Sequence, residues 1–558
     1  MAGPRGLCEV FQATAARDPD RVALRTPGGA TEITWAEYAG HVERIAGGLA
    51  ALGVEPGHAV GLMLRNRPEF NLIDSGAMHL GAAPFSIYNT SPPGQVAYLF
   101  GNAGNQVTVC ERAFLDVVRA AGAQTIVLVD GEEDGTVSLE ELEAMAEPGF
   151  DFEAAWRAVG PGDVLTLIYT SGTTGPPKGV ELTHRSMMAE CRGCDAVIPQ
   201  PPGGRATSFL PSAHIADRWA SHYWGGMWCG HTITCIADPA TVVSHLPEVR
   251  PTAWGAVPRV WEKIKAALEA RGVLRPAELD EEARAAIRAT LGLDEVAWLV
   301  SGAAPTPVEV LEYFADLGLP ICELWGMSEL SCCATINPPH DIRVGTCGPP
   351  IPGVEVHLAD DGELLVRGEI LMRGYRGDPE QTAEAVDAGG WLHTGDVAEI
   401  DADGYVTIVD RKKELIINAA GKNMSPANIE ARLKTSSTLI GQAVCVGDRR
   451  SYNVALLVLD PDGAAAWAAA NDAPDPSPAA LAADPRLQAE LGRAVEEANA
   501  ALSRVERIKR WTLLAEEWLP GGDELTPTMK LKRRPIAEKY AAEIDALYAE
   551  APAALQTS

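Results

Sequence analysis

The stretch from Tyr169 to Glu181, Tyr-Thr-Ser-Gly-Thr-Thr-Gly-Pro-Pro-Lys-Gly-Val-Glu, gathers four hydroxyls, two glycines and a lysine before its last three residues. Gly172 and Gly175 let the backbone approach an anion and point N–H groups at it, while Thr170, Ser171, Thr173, Thr174 and Lys178 add side-chain donors. That density of donors suits a polyphosphate. The spacing is not that of the P-loop motif, in which Lys precedes Ser or Thr, because Lys178 follows proline and precedes Gly179. Upstream, Asp163-Val-Leu-Thr-Leu-Ile-Tyr169 is a β-branched apolar run suited to a buried strand. Downstream, Thr183 followed by Ser186 and two methionines marks the start of a helix. The expectation is therefore a phosphate-gripping loop set between a strand and a helix.

Cys191-Arg-Gly-Cys194 also has spacing that can bind metal or cycle between thiol and disulfide, but no second pair with matching spacing exists, and Cys332-Cys333 are adjacent. No metal site is expected there. The 11 cysteines are scattered and odd in number, which fits free thiols in a reducing compartment.

Four further blocks stand in order behind the loop: Ser301-Gly-Ala-Ala-Pro305; Leu324-Trp-Gly-Met-Ser-Glu329; Trp391-Leu-His-Thr-Gly-Asp396 with Asp410-Arg-Lys-Lys-Glu-Leu-Ile416; and Leu525-Thr-Pro-Thr-Met-Lys-Leu-Lys-Arg533. With these five blocks in register, the chain resembles the adenylate-forming superfamily (acyl-CoA synthetase and luciferase-like), and within it the long-chain fatty acyl-CoA synthetases, from about Pro19 to about Tyr540.

The resemblance implies a reaction and a set of roles. A carboxylate attacks the α-phosphorus of ATP and expels pyrophosphate, and the thiol of CoA then displaces AMP. The loop Thr170, Ser171, Gly172, Thr173, Thr174, Gly175 and Lys178 would hold the β- and γ-phosphates. Trp325 and Gly326, beside Gly302, Ala303 and Ala304, would receive adenine, and Ser328 the α-phosphate. Glu329 would act in catalysis as the ligand of Mg²⁺, a hard ion that prefers oxygen. Asp396 would accept from the ribose hydroxyls, and Arg411 would reach ribose or phosphate. Lys530 aligns with the catalytic lysine of adenylation, although Met529 replaces the usual glycine and Lys532, two residues on, is an alternative. Lys413 matches the hinge about which a lid turns between half-reactions, and Ala419-Ala-Gly421-Lys-Asn423 would line the pantetheine tunnel. His393 receives no role.

Leu210-Pro-Ser-Ala-His-Ile-Ala-Asp-Arg218 resembles the long-chain Leu-Pro-x-x-His block, which puts His214 near the carboxylate and makes Trp224 and Trp228 candidates for an acyl pocket, with a plain core role as the alternative. The substrate expected is a medium- to long-chain fatty acid. Two other readings stay open: a fatty acyl-AMP ligase serving a carrier protein, which the lack of an obvious extra insertion weakens, and a catalytically silent nucleotide- or lipid-binding homologue.

The elements that must position these residues follow from the rest of the chain. At 558 residues the chain exceeds one core, and 46% hydrophobic with 22% charged residues is an ordinary globular balance. A net charge of −30 excludes a general nucleic-acid binder. The start lacks a signal peptide's apolar core and no stretch is apolar enough to span a bilayer, so a cytoplasmic protein is expected, with peripheral membrane contact and a homodimer both left open.

Alternating strand and helix signals indicate an α/β fold. Thr34-Trp-Ala-Glu37 is a capping box that opens a helix ending at Gly53, and Ala59 to Leu64 reads as a strand. From Gly353, short strands with Asp-Gly turns predict a small β-rich subdomain. The expected organisation is a large α/β N-terminal domain, 1–411, carrying the ATP and acyl sites and that subdomain, followed by a smaller, mobile α+β C-terminal lid, 412–558, with its hinge near Lys413.

Overall fold

The computed structural model describes residues 3–170, 176–417, 423–526 and 529–549. Two compact units are present. One holds 1–359, 364–394 and 400–407, and the other holds 360–363, 395–399 and 408–558.

In the first unit, eight strands form one sheet, in the order Gly374–Tyr375, Lys178–Thr183, Val164–Thr170, Ala83–Ser86, Ala59–Met63, Val107–Cys110, Thr125–Leu128, Val137–Ser138. From Val164–Thr170 onward the neighbours run parallel, so they are buried on both faces and read as apolar runs. Ala59–Met63 is buried at every position. A second sheet orders Ala253–Ala256, Trp298–Ser301, Ile321–Trp325 and Thr335–Ile336, the first three parallel. A third orders Arg205–Ser208, Thr232–Cys235, Val22–Arg25 and Glu32–Thr34. Val354–Leu358 pairs antiparallel with Glu363–Gly368, Val356 facing Val366, as the Asp-Gly turn signal predicts.

Local signals are legible throughout. The Thr34 hydroxyl accepts from the Glu37 N–H and the Glu37 carboxylate from the Thr34 N–H, closing the capping box of helix Trp35–Ala51. Helix His184–Val197 starts on a similar reciprocal pair between Thr183 and Ser186. One expectation is overturned: the glycine-rich stretch does not lead directly into that helix. Its flanks pair antiparallel, Thr170 opposite Lys178 and Tyr169 opposite Gly179, so the stretch caps a β-hairpin. The helix comes one strand later because Val180 and Leu182, fully buried, make Lys178–Thr183 a strand.

The second unit has its own core. Asn453–Leu459 lies between Ile440–Val446, antiparallel, and Ile508–Leu513, parallel, with every residue of the central strand buried. Helices Pro426–Thr435 and Pro485–Ala501 pack Ile429, Leu433, Leu487 and Leu491 on one face of that sheet. Trp518, Leu525, Ile536 and Tyr540 cover Leu456 and Val458 on the other.

Candidate nucleotide site

Two loops of the first unit leave neighbouring parallel strands at their carboxyl ends, where open α/β sheets gather ligands. Ser301 lies opposite Glu323 in the register of Trp298–Ser301 and Ile321–Trp325, so Gly302-Ala-Ala304 and Gly326-Met-Ser-Glu329 emerge side by side. The Ser301 and Thr306 hydroxyls share a 2.7 Å hydrogen bond, and the Thr306 N–H donates to Glu323 Oε1 at 3.3 Å, closing the first loop. Ala303, exposed at its tip, holds a left-handed φ of 71°, a cost that a site tolerates when the surroundings dictate the backbone. Trp325 is 9% exposed at the strand end. A Cβ on Gly326 would stand 1.7 Å from the Cys332 carbonyl oxygen, so only glycine fits there. Ser328 and Glu329 are both buried in a single 3₁₀ turn.

Tyr375 brings two of the expected residues together. Its strand pairs with Lys178–Thr183, Tyr375 opposite Val180. Its ring carries the Lys178 ammonium, 4.8 Å from the centroid, and its hydroxyl donates to Glu329 Oε1 at 2.9 Å. Burial and the Glu329 charge push the phenol well above its ordinary range, so it is the donor. The Glu329 carbonyl accepts from the Met372 N–H at 2.8 Å, which fixes the turn against the same segment. The sequence reading missed Tyr375; its only signal, a Gly-Tyr pair after a small β region, is common.

Thr170 and Lys178, half-buried, end the two strands of the hairpin. Ser171, Gly172, Thr173, Thr174 and Gly175 lie outside the described residues, as does Gly421 with the proposed tunnel segment around it up to residue 422.

In the second unit Arg411 Nε pairs with Asp396 Oδ1 at 2.6 Å, Asp396 being buried. Lys412 bridges Asp361 at 2.5 Å and Glu363 at 3.0 Å, and Lys413 is exposed beside it. Arg533 forks to Glu430 at 2.6 and 2.8 Å and to Glu414 at 3.0 Å. That bidentate grip ties the stretch after Lys413 to the stretch holding Lys530. Lys530 is exposed; its N–H donates to the Thr526 hydroxyl at 3.0 Å and its carbonyl accepts from the Thr526 N–H at 2.8 Å. Met529 takes a left-handed φ of 64°. That conformation accounts for glycine at this place in the resembling family. Lys532 Nζ donates to the Gly522 carbonyl at 2.7 Å.

The pattern of the AMP-binding enzyme family matches residues 11–376, and that of the AMP-binding enzyme C-terminal domain matches residues 413–552. The chain belongs to the AMP-binding enzyme family. Among curated proteins, a putative fatty-acid–CoA ligase, FadD11 of Mycobacterium tuberculosis, is 52% identical over 452 residues, covering 74% of this chain and 79% of that protein. The long-chain-fatty-acid–CoA ligase FadD15 of Mycobacterium bovis is 34% identical over 575 residues, covering 95% of each. Among solved structures, the A-PCP didomain of carboxylic acid reductase from Segniliparus rugosus, in complex with AMP, superposes with a TM-score of 0.80 at 20% identity, over 98% of this chain and 83% of that one, a likeness of fold.

Around His214 and the tryptophans, this AMP-binding enzyme is densely packed. His214 Nδ1 accepts from the Ala216 N–H at 3.1 Å and caps the turn Ile215–Asp217. Residues Arg218–Trp228 then form a π-helix. Trp224, 1% exposed, stacks on Trp219 at 5.0 Å and on Trp298 at 5.5 Å, which makes it a core residue, while Trp228 at the helix end is partly exposed. Arg218 anchors the π-helix: fully buried, it pairs with Asp74 and donates to Tyr223 at 2.9 Å, Ser86 at 2.9 Å and the Ser212 carbonyl at 3.0 Å. His222 and Tyr223 reach the same carboxylate at 3.0 and 3.1 Å. Burial would raise Asp74, but Arg218 and His222 more than offset it and hold the group below its usual value. Nearby, burial pushes Asp217 up to about 7 despite bonds from Ser208 and Ser221.

Proposed function

We infer that this AMP-binding enzyme activates a medium- to long-chain fatty acid with ATP and transfers it to CoA, releasing AMP and pyrophosphate. The observation that carries the reading is the convergence of Lys178 and Glu329 on Tyr375, beside two loops at parallel strand ends, in a chain similar over 95% of its length to a long-chain-fatty-acid–CoA ligase. A carrier-protein acceptor is not favoured, because these curated relatives are named for CoA.

A carboxylate oxygen of the acid bonds to the α-phosphorus as the bond to pyrophosphate breaks. The thiol sulfur of CoA then bonds to the acyl carbon as the bond to AMP breaks, its proton going to solvent. Lys178 and the loop donors from Thr170 to Gly175 orient the leaving pyrophosphate. Trp325 presents an apolar face to adenine beside Gly302, Ala303, Ala304 and Gly326, and Ser328 meets the α-phosphate. Asp396, oriented by Arg411, accepts from the ribose. Lys530 meets the charge that grows on the α-phosphate and carboxylate, while His214 lies toward the acid. The second domain, 412–558, turns about Lys413 to bring in CoA, whose arm passes the segment around Gly421.

Glu329 suits Mg²⁺, since it offers a buried carboxylate with one oxygen steadied by a hydrogen bond, and Mg²⁺ takes one or two carboxylates plus phosphate oxygens. Bound there, the ion would neutralise phosphate charge. The location proposed is the cytoplasm: all 11 cysteines are free thiols, and no helix among the described residues is long and apolar enough to cross a membrane.

The test is pyrophosphate release across a panel of acids, with and without CoA. Release plus acyl-CoA with medium- and long-chain acids is the expected result. Release without thioester would instead indicate a carrier-protein acceptor, and no release with any acid would indicate a silent homologue.

A further inference from the structure

Behind the nucleotide loops lies a cluster with no part in that chemistry. Glu190, Cys194 and Cys333 are each 0% exposed, and their carboxylate oxygen and sulfur atoms all lie within 4.8 Å of one another. We propose that these three side chains form a buried binding site for a soft d¹⁰ cation of the zinc(II) class.

The donor geometry fits. Cys194 Sγ is 3.2 Å from Glu190 Oε1, and tetrahedral zinc with sulfur at about 2.3 Å and oxygen at about 2.1 Å places its ligand atoms about 3.5 to 3.8 Å apart. Cys191, also 0% exposed, presents its thiol to Glu190 but stands outside the cluster of three. Cys194 of the Cys-x-x-Cys pair thus finds in Cys333 a distant partner that spacing alone did not reveal.

The second observation is a buried carboxyl oxygen without a partner: Glu190 Oε2 has no hydrogen bond, although the Trp219 indole, the Cys191 thiol and the Cys333 backbone N–H face the group. No ion pair reaches Glu190 among the described residues, whereas the equally buried Asp74 has Arg218 and His222. A buried charge without a counter-charge is costly. Either a proton or a cation neutralises it, and where a cation does so the two thiols in reach make it one that prefers sulfur. The backbone delivers Cys333 through two left-handed residues, Ser331 at φ 59° and Cys332 at φ 130°. The site is sealed, so it would load as the chain folds and would act structurally, joining helix His184–Val197 to the stretch after Glu329. The ATP reading is not needed for this inference.

The test uses the full chain, produced in zinc-supplemented medium and passed through a brief EDTA gel filtration. Elemental analysis is expected to find about one zinc per chain, as for a single closed site. Refolding with cadmium is expected to produce a thiolate-to-cadmium charge-transfer band. Cys333→Ala and Cys194→Ala should abolish the band, and Glu190→Gln should weaken cadmium binding at least about tenfold. Zinc that EDTA strips at once, or that survives Cys194→Ala, is adventitious and overturns the proposal. So does wild-type chain that is zinc-free and gives no cadmium band, a result that needs no variant to fold and leaves pyrophosphate release untouched.

Discussion

The hydroxyl of Tyr375 donates to Glu329 Oε1 at 2.9 Å, holding one oxygen of the carboxylate in place while its ring meets Lys178. Tyr375→Phe keeps the ring contact and removes only the donor. Loss of one hydrogen bond to a charged group is worth about 1.5–3 kcal/mol, so adenylation measured by pyrophosphate release is expected to fall about tenfold or more. Unchanged release and unchanged KM for MgATP would show that Glu329 needs no such orientation.

Lys530 and Lys532 are separated by their partners. Lys532 Nζ is held by the Gly522 carbonyl, and Lys530 is the one that aligns with the lysine of adenylation, so Lys530 is the residue expected to act. Lys530→Ala should lower adenylation about 10²- to 10³-fold, the scale of removing one charge-stabilising donor, and leave thioester formation from supplied acyl-adenylate within a few-fold. Lys532→Ala should affect stability more than adenylation. The reverse pattern would exchange the two roles.

Met529 holds a conformation that L-residues resist, φ 64°. Relief of the left-handed strain by Met529→Gly is worth about 1–2 kcal/mol, partly offset by the greater freedom of glycine in the unfolded chain. The expected result is a neutral to slightly raised denaturation midpoint, with Met529→Ile lowered, since β-branched residues fit this region worst. A midpoint that falls for glycine as it does for isoleucine would refute the strain argument.

His184 makes stability depend on pH. Burial pushes its imidazole down to about 4, and its Nδ1 accepts from the Leu7 N–H at 3.2 Å, a bond that protonation would destroy. The unfolded chain takes up the proton near pH 6.5 and the folded chain refuses it until about pH 4, so this contribution is present above pH 6.5 and is lost as pH falls through that window. Thermal melts across pH 4–7 should show a shallower acid slope for His184→Gln than for wild type. Identical slopes would remove His184 from the account.

Arg218→Met would leave Asp74 with His222 and Tyr223 as its partners among the described residues. Removing one member of a buried pair costs about 3–5 kcal/mol, and urea unfolding should register a loss on that scale. A loss under about 1 kcal/mol would mean that water enters and solvates the carboxylate.

Legibility followed range. The capping boxes at Thr34 and Thr183, the strand Ala59–Met63 and the turns of the small β region stood in the sequence because three or four adjacent residues decide each of them. The helix start at Thr183 was read, but the strand Lys178–Thr183 between it and the glycine-rich stretch was not, because a short apolar run such as Val180 to Leu182 carries no period of its own.

What the sequence by itself offered was a set of candidate groups: the donor-rich loop through its own residue types, and Glu329, Asp396 and Lys530 through the resemblance of their blocks, since reactivity resides in side chains. Tertiary structure alone decided their companions. Tyr375 meets Glu329 across 46 positions and Arg218 meets Asp74 across 144, while Cys333 comes to Cys194. Trp224 is consigned to the core by the same folding. Contacts between residues so far apart in the chain depend on strand register and burial, which no local stretch encodes.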